Sequence, residues 1–183
     1  VYDTLHFPDN FTVPVARPAA AYKLELKEKF PKSADGIDAY FEAIRAAEET
    51  VHMVGVERSI PEPFLSAHRW WNKKQIQRWC GRTTKEVIAE IISDPGLAAV
   101  LSAQWGTYGG IPEEASFGVH AKVVGHYMEG AAYPVGGAAA IANGLVPVIE
   151  SAGGQARAST PVESIRIQDG TAIGVRTSDG EDI

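Results

Sequence analysis

Cysteine is almost missing from this 183-residue chain, with Cys80 the sole example, and that rules out an internal disulfide as a source of stability. A reducing, cytoplasmic compartment is the expectation. Basic charge is also scarce: 17 Lys and Arg face 23 Asp and Glu, a net charge of −6, whereas chains that bind polynucleotides carry a basic footprint. Nucleic acid is therefore not an expected partner. The histidines, His6, His52, His68, His120 and His126, are scattered with no pair at i, i+4 spacing, so no metal site is expected. Neither G-x-S-x-G nor G-x-G-x-x-G occurs. The first absence argues against a nucleophile-elbow hydrolase, and the second means that the chain brings no phosphate-binding loop of its own.

What remains is a globular composition, 45% apolar, arranged as an α+β chain with no internal repeat. Tyr2 to Phe7 and Phe11 to Val15 flank Pro8-Asp9-Asn10, the pattern of a β-hairpin. Helices follow. Ala19 to Phe30 carries Tyr22, Leu24, Leu26 and Phe30. Ser33 stands where it can cap a second helix, with Ile37, Tyr40, Phe41, Ile44, Ala47 and Val51 as its core face. Pro61 and Pro63 interrupt the pattern, and Cys80 reads as a small apolar residue on a helix. Thr83 and Glu86 form a capping box for a helix through Ile92, and Asp94-Pro95 starts another to about Gln104. Glu113-Glu114 reads as a helix start rather than an acid/base dyad. Ser116 can cap a helix through Glu129.

The stretch His68 to Arg82 inverts the local charge: Arg69, Lys73, Lys74, Arg78 and Arg82 sit among Trp70, Trp71 and Trp79 with no acid between them. Indole and lysine together suit the lipid headgroup region, so Arg69, Trp70, Trp71, Lys73, Lys74, Arg78 and Trp79 are candidates for peripheral membrane docking. The competing reading is a solvated helix whose tryptophans point into the core.

The run Tyr133 to Ile167 compresses several signals. Gly136-Gly137 opens a helix over Ala138 to Ser151, Gly153-Gly154 closes it, Gln155 to Ala158 reads as a short strand, and Val162 to Gln168 pairs with Thr171 to Thr177 across Asp169-Gly170. Ala131 to Ile149 is long and apolar, but Pro134, Gly136-Gly137, Asn143 and Pro147 argue against a membrane span. The chain starts at Val1 and stops at Ile183 within a strand signal, and it is expected to be an internal piece of a longer protein.

FPKSADGIDAYFEAIR, GTYGGIPEEASFGVHAKVVGHYMEGAAYPVGG and GGQARASTPVESIRIQDGTAIGVRTSDG together cover much of the sequence. Across them the chain closely resembles the flavin-dependent phytoene desaturase, carotenoid isomerase and retinol saturase family. The resemblance implies a helix-rich substrate domain over residues 1–134 and a partial return into an FAD-binding domain over 135–183. It implies an FAD-dependent oxidoreductase acting on the conjugated double bonds of a carotenoid or retinoid-like lipid. Isomerisation without net redox change, and a non-catalytic lipid-binding module, stand as alternatives. It further implies that the Val162 backbone meets the adenine of FAD and that Gly136 and Gly137 pass near the flavin. Trp105, Tyr108, His126, Tyr127 and Tyr133 are candidates for lining an apolar tunnel. No catalytic acid or base is assigned, because the flavin carries the chemistry. The segments that hold most of the FAD are expected elsewhere in the parent polypeptide, which makes that polypeptide a partner. This piece alone is therefore expected neither to bind FAD nor to catalyse.

Overall fold

The computed structural model describes residues 3–183, apart from the side chain of Arg58; Tyr2, expected at the start of the first strand, lies outside them. The chain divides into two compact units, one ending at Ala131 and one running Ala132–Ile183. Tyr133 and Pro134 fall in the second.

The first unit opens with an antiparallel hairpin, β1 (Asp3–His6) and β2 (Thr12–Val15). Val13 and Val15 alternate inward. At its turn Asp9 and Asn10 adopt left-handed φ values of 59° and 56°, which short polar side chains tolerate. Next come α1 (Ala19–Lys29) and α2 (Ala34–Gly55). On α1 the buried pair is Tyr22 and Leu26, spaced i, i+4; Leu24 falls on the opposite side and is exposed. Ser33 precedes α2 without a side-chain capping bond.

Helix α2 is the spine of this unit. Ile37, Tyr40, Ile44 and Ala47 form its buried stripe, the recurrence that a 3.6-residue period demands. It packs mainly on α7 (Phe117–Met128), with α1, α3 (Glu62–Trp79) and α4 (Thr84–Ile91) against other parts of it. Pro61 and Pro63 mark the break between α2 and α3 and begin the latter: Pro61 is the N-cap and Pro63 lies in the first turn, where a missing N–H costs nothing. Helices α5 (Pro95–Ser102) and α6 (Trp105–Tyr108) complete the unit.

Two caps follow the sequence reading. Asp94 accepts from Gly96 and Leu97 N–H, and Thr83 and Glu86 form a reciprocal capping box. Thr83→Ala is expected to cost about 1 kcal/mol in chemical denaturation. Glu113-Glu114, expected to start a helix, instead sits in a turn whose Ala115 N–H bonds to the Ile111 carbonyl at 2.9 Å. The Lys85 ammonium, 3.1 Å away, holds the Glu113 carboxyl below its ordinary range. That turn is fastened to the start of α4 by Lys85 N–H to Pro112 O and Thr84 N–H to Ala115 O, both 2.8 Å.

The second unit comprises α8 (Ala139–Ser151) and a hairpin of β3 (Val162–Gln168) and β4 (Thr171–Thr177). Pro134 to Gly137 forms a turn closed by Gly137 N–H to Pro134 O at 3.0 Å, with φ of 89° at Gly136 and 82° at Gly137. Gly153, at φ 81°, ends α8 with Gly154 N–H reaching Ile149 O at 2.9 Å, the six-to-one bond of a Schellman terminus. Gln155 to Ala158 is not a strand. Among the described residues it has no ladder partner, and Arg157 is instead tied to Glu181 at 2.6 Å. Residues 181–183 line the free edge of β4, with Val175 N–H to Ile183 O at 2.7 Å. No residue of α8 is buried, and Val135 is 99% exposed.

Candidate functional site

The first unit is organised around a buried histidine. His120 sits on α7 at 0% exposure, with Tyr40 Oη 2.9 Å from Nε2 and Tyr108 Oη 3.1 Å from Nδ1. Tyr40 Oη also donates to the Leu101 carbonyl at 3.3 Å. With that bond made, Tyr40 accepts from Nε2–H and Nδ1 accepts from Tyr108, the neutral tautomer that this pattern assigns. Burial pushes His120 down to about 4 and pushes the Tyr108 hydroxyl up. The ring is an uncharged bridge between α2, α6 and α7, unsuited as it stands to proton transfer near neutral pH.

Beside Tyr40 lies an apolar cavity of about 20 Å³, walled by Leu5, Val15, Tyr22, Leu101, Val124 and Met128 among others. It has room for about one water and falls far short of the roughly 300–1,000 Å³ of a ligand site. None of the expected tunnel aromatics lines it. Tyr108 joins the His120 cluster. Trp105, at the other end of α6, is exposed. His126 and Tyr127 stack edge-to-face at 5.5 Å on the last turn of α7, and Tyr133 is exposed in the second unit.

Near His126 the Glu48 side chain lies directly over Gly125, where any Cβ would collide with it. Burial raises the Glu48 carboxyl, with Glu129 adding to the rise and Lys122 and His126 opposing it. Gly125→Ala is expected to displace this carboxylate and return it toward its ordinary titration, read by NMR of the Glu48 side chain.

The basic stretch splits in two. Trp79 is 8% exposed and packs on Phe117 at 5.8 Å, so it belongs to the core and not to an outer docking face. Trp70 and Trp71 stand 74% and 80% exposed. The basic side chains do meet acids, supplied by other elements: Arg69 pairs with Glu57 at 2.9 Å, Arg82 with Glu90 at 2.6 Å and Arg78 with Glu90 at 3.9 Å.

The cofactor candidates lie in the second unit. A Cβ at Gly137 would meet nothing within 4 Å, so the Gly136-Gly137 turn leaves its backbone open to close approach. Val162 opens β3, which among the described residues has a ladder partner only in β4. These residues fit backbone contact with a flat cofactor such as a flavin, but they supply no phosphate cradle. Among the described residues no group of three His, Cys, Asp or Glu is placed to hold a metal ion.

Over 166 residues the chain is 38% identical to all-trans-retinol 13,14-reductase of Danio rerio, a match spanning 88% of this chain and 27% of that protein. The enzyme of the same name from Homo sapiens is 32% identical over 177 residues, 89% of this chain and 28% of the relative. The chain belongs to the all-trans-retinol 13,14-reductase and prolycopene isomerase family. Its isomerase side is represented by the chloroplastic prolycopene isomerase of Daucus carota, 24% identical over 97% of this chain and 30% of that protein. The chain thus spans little more than a quarter of the length of the reductase relatives. No protein-family model matches it, and no solved structure does.

Within this family member, the sequence reading missed the pairing of Tyr40 with His120. The two are 80 positions apart, and no local spacing betrays such a bond. The one available signal was His120 itself, a polar residue at a position of α7 otherwise in line with Phe117, Ala121 and Val124.

Proposed function

We propose that this chain is part of an FAD-dependent oxidoreductase acting on conjugated double bonds of a retinoid- or carotenoid-like lipid. The observation that carries the reading is the 38% identity to an all-trans-retinol 13,14-reductase across 88% of the chain. The Val162 backbone and the Gly136-Gly137 turn would contact the cofactor, and a bound flavin would supply hydride transfer to or from the polyene. Trp105, Tyr108, His126 and Tyr127, all in the first unit, would face the lipid in the whole protein. The exposed apolar side chains of α8, Ile141, Leu145 and Val148, are the surface the rest of that protein would cover. A second reading, isomerisation driven by reduced flavin without net redox change, draws on the prolycopene isomerase likeness.

Purified parent protein is expected to show a flavin absorbance that bleaches when reduced, and to reoxidise anaerobically on addition of a polyene with a saturated product. Product of unchanged oxidation level would favour the isomerase, and a colourless parent protein would end the flavoenzyme reading. The 183-residue chain alone is expected to give no saturable FAD binding in a fluorescence titration. A yellow protein from this chain would overturn that expectation.

A further inference from the structure

The outer face of α3 carries a charge and exposure pattern that the proposed reaction leaves unused. The inner side of the helix is set by Leu65, His68, Asn72, Ile76 and Trp79, all at least half-buried. Around the rest of the helix, roughly 85° to 155° from that side, Phe64, Trp70 and Trp71 are exposed, at 66% for the phenylalanine. The two indoles meet edge-on at 6.2 Å between ring centres. Lys73 and Lys74 are exposed beside them, and neither makes an ion pair within the described residues. An open groove lined by Val54, Arg69, Trp70, Lys73 and Ile76 runs along one flank.

We propose that this face is a docking surface for an anionic lipid bilayer, with Phe64, Trp70 and Trp71 settling at headgroup depth and Lys73 and Lys74 facing lipid phosphate and carboxylate. The proposal stands apart from the reaction assigned above and holds whatever the substrate. Three features favour lipid over a protein partner. Lysine is depleted at protein interfaces, whereas here it rims the aromatic patch. Indole next to lysine is what a helix lying in the interface plane requires. In a chain of net charge −6, α3 carries Arg69, Lys73, Lys74 and Arg78 against Glu62 alone, so this surface is drawn to an anionic bilayer that the remainder of the 183 residues repels. Arg69 is already paired with Glu57 and Arg78 lies over the Trp79 ring at 4.7 Å, which leaves the lysines as the available cations. No helix among the described residues is long and apolar enough to cross a membrane, so contact here is peripheral.

The test uses the whole 183-residue chain with phosphatidylcholine vesicles, with and without phosphatidylserine and with a brominated phospholipid as quencher. All the tryptophans lie in the first unit, so bromine quenching reports that unit and not the exposed apolar side chains of α8. Binding is expected with phosphatidylserine, quenched tryptophan emission with it, and release as salt rises. Lys73→Glu with Lys74→Glu is expected to weaken partitioning at least about tenfold, as is Trp70→Ser with Trp71→Ser. Lys32→Glu, remote on the chain, is expected to leave it unchanged. These positions are exposed, so the variants are expected to keep the wild-type circular dichroism. Both double variants binding within about twofold of wild type would overturn the proposal. So would vesicle binding without quenching. A change of solution mass in the tryptophan variant without vesicle binding would also overturn it, by assigning the face to a second copy of the chain.

Discussion

Acidification from pH 7 to 4 is expected to remove about 3 kcal/mol from the stability of the first unit through His120 alone. Its imidazole is fully buried between two tyrosine hydroxyls, and burial holds it at about 4 against an ordinary 6.5. The folded state therefore favours the neutral ring, while the unfolded chain takes up a proton as soon as the pH falls through 6.5. Stability is complete above that value, declines through the window from 6.5 to 4, and loses nothing further from this group below it. Glu48 acts in the opposite direction, because burial raises its carboxyl and protonation there favours the fold. Urea denaturation of wild type and His120→Gln across pH 4 to 7.5 separates the two contributions. The difference between their profiles is expected to carry the histidine step, and parallel profiles would contradict it. Tyr40→Phe is expected to lower stability at pH 7 as well, since it leaves Nε2–H without its acceptor.

Phe117→Ala is expected to cost about 3–5 kcal/mol, a large share of the roughly 5–15 kcal/mol that holds a domain together. Phe117 is fully buried at the first turn of α7 and lies between Trp79, at 5.8 Å, and His120, at 5.7 Å. Its removal opens a cavity where α3, α4 and α7 meet, and the turn at Ser116, whose hydroxyl donates to Cys80 O at 2.8 Å, cannot slide in to fill it. Phe117→Leu keeps most of the volume and is expected to cost less than about 1.5 kcal/mol. The two substitutions also probe His120. Water admitted by the alanine relieves its desolvation, so its titration is expected to rise toward 6.5 in the alanine variant and stay near 4 in the leucine variant, followed by imidazole proton NMR. Because Phe117 and His120 are in contact, the double variant is expected to be non-additive. Simple addition of the two losses would show that they do not share one core.

Local chemistry was legible where a residue and its partner are close in sequence. Thr83 and Glu86, Asp94 with the N–H groups of the next turn, Gly153 at the end of α8 and Asp169-Gly170 between β3 and β4 all formed as read, since each bond closes within a few residues. The readings that failed needed distant information. The segment at Gln155 to Ala158 found no ladder partner among the described residues and stayed irregular. Trp79 went inward while Trp70 and Trp71, a few residues earlier, went outward, because the phase of α3 is set by its packing on α2 and not by its composition.

By itself the sequence determined the α+β class, the positions of most helices and turns, and the family, because periodicity, capping and turn chemistry are encoded over short spans. Tertiary structure alone decided that His120 lies uncharged between Tyr40 and Tyr108 and that Tyr108 joins that cluster while Trp105, on the same short helix, stays exposed. It alone also divided the basic tryptophan stretch into a core residue and an outer face. The physical reason is common to all three. Which neighbours desolvate a side chain, and which cover it, depends on helices brought together from opposite ends of the unit.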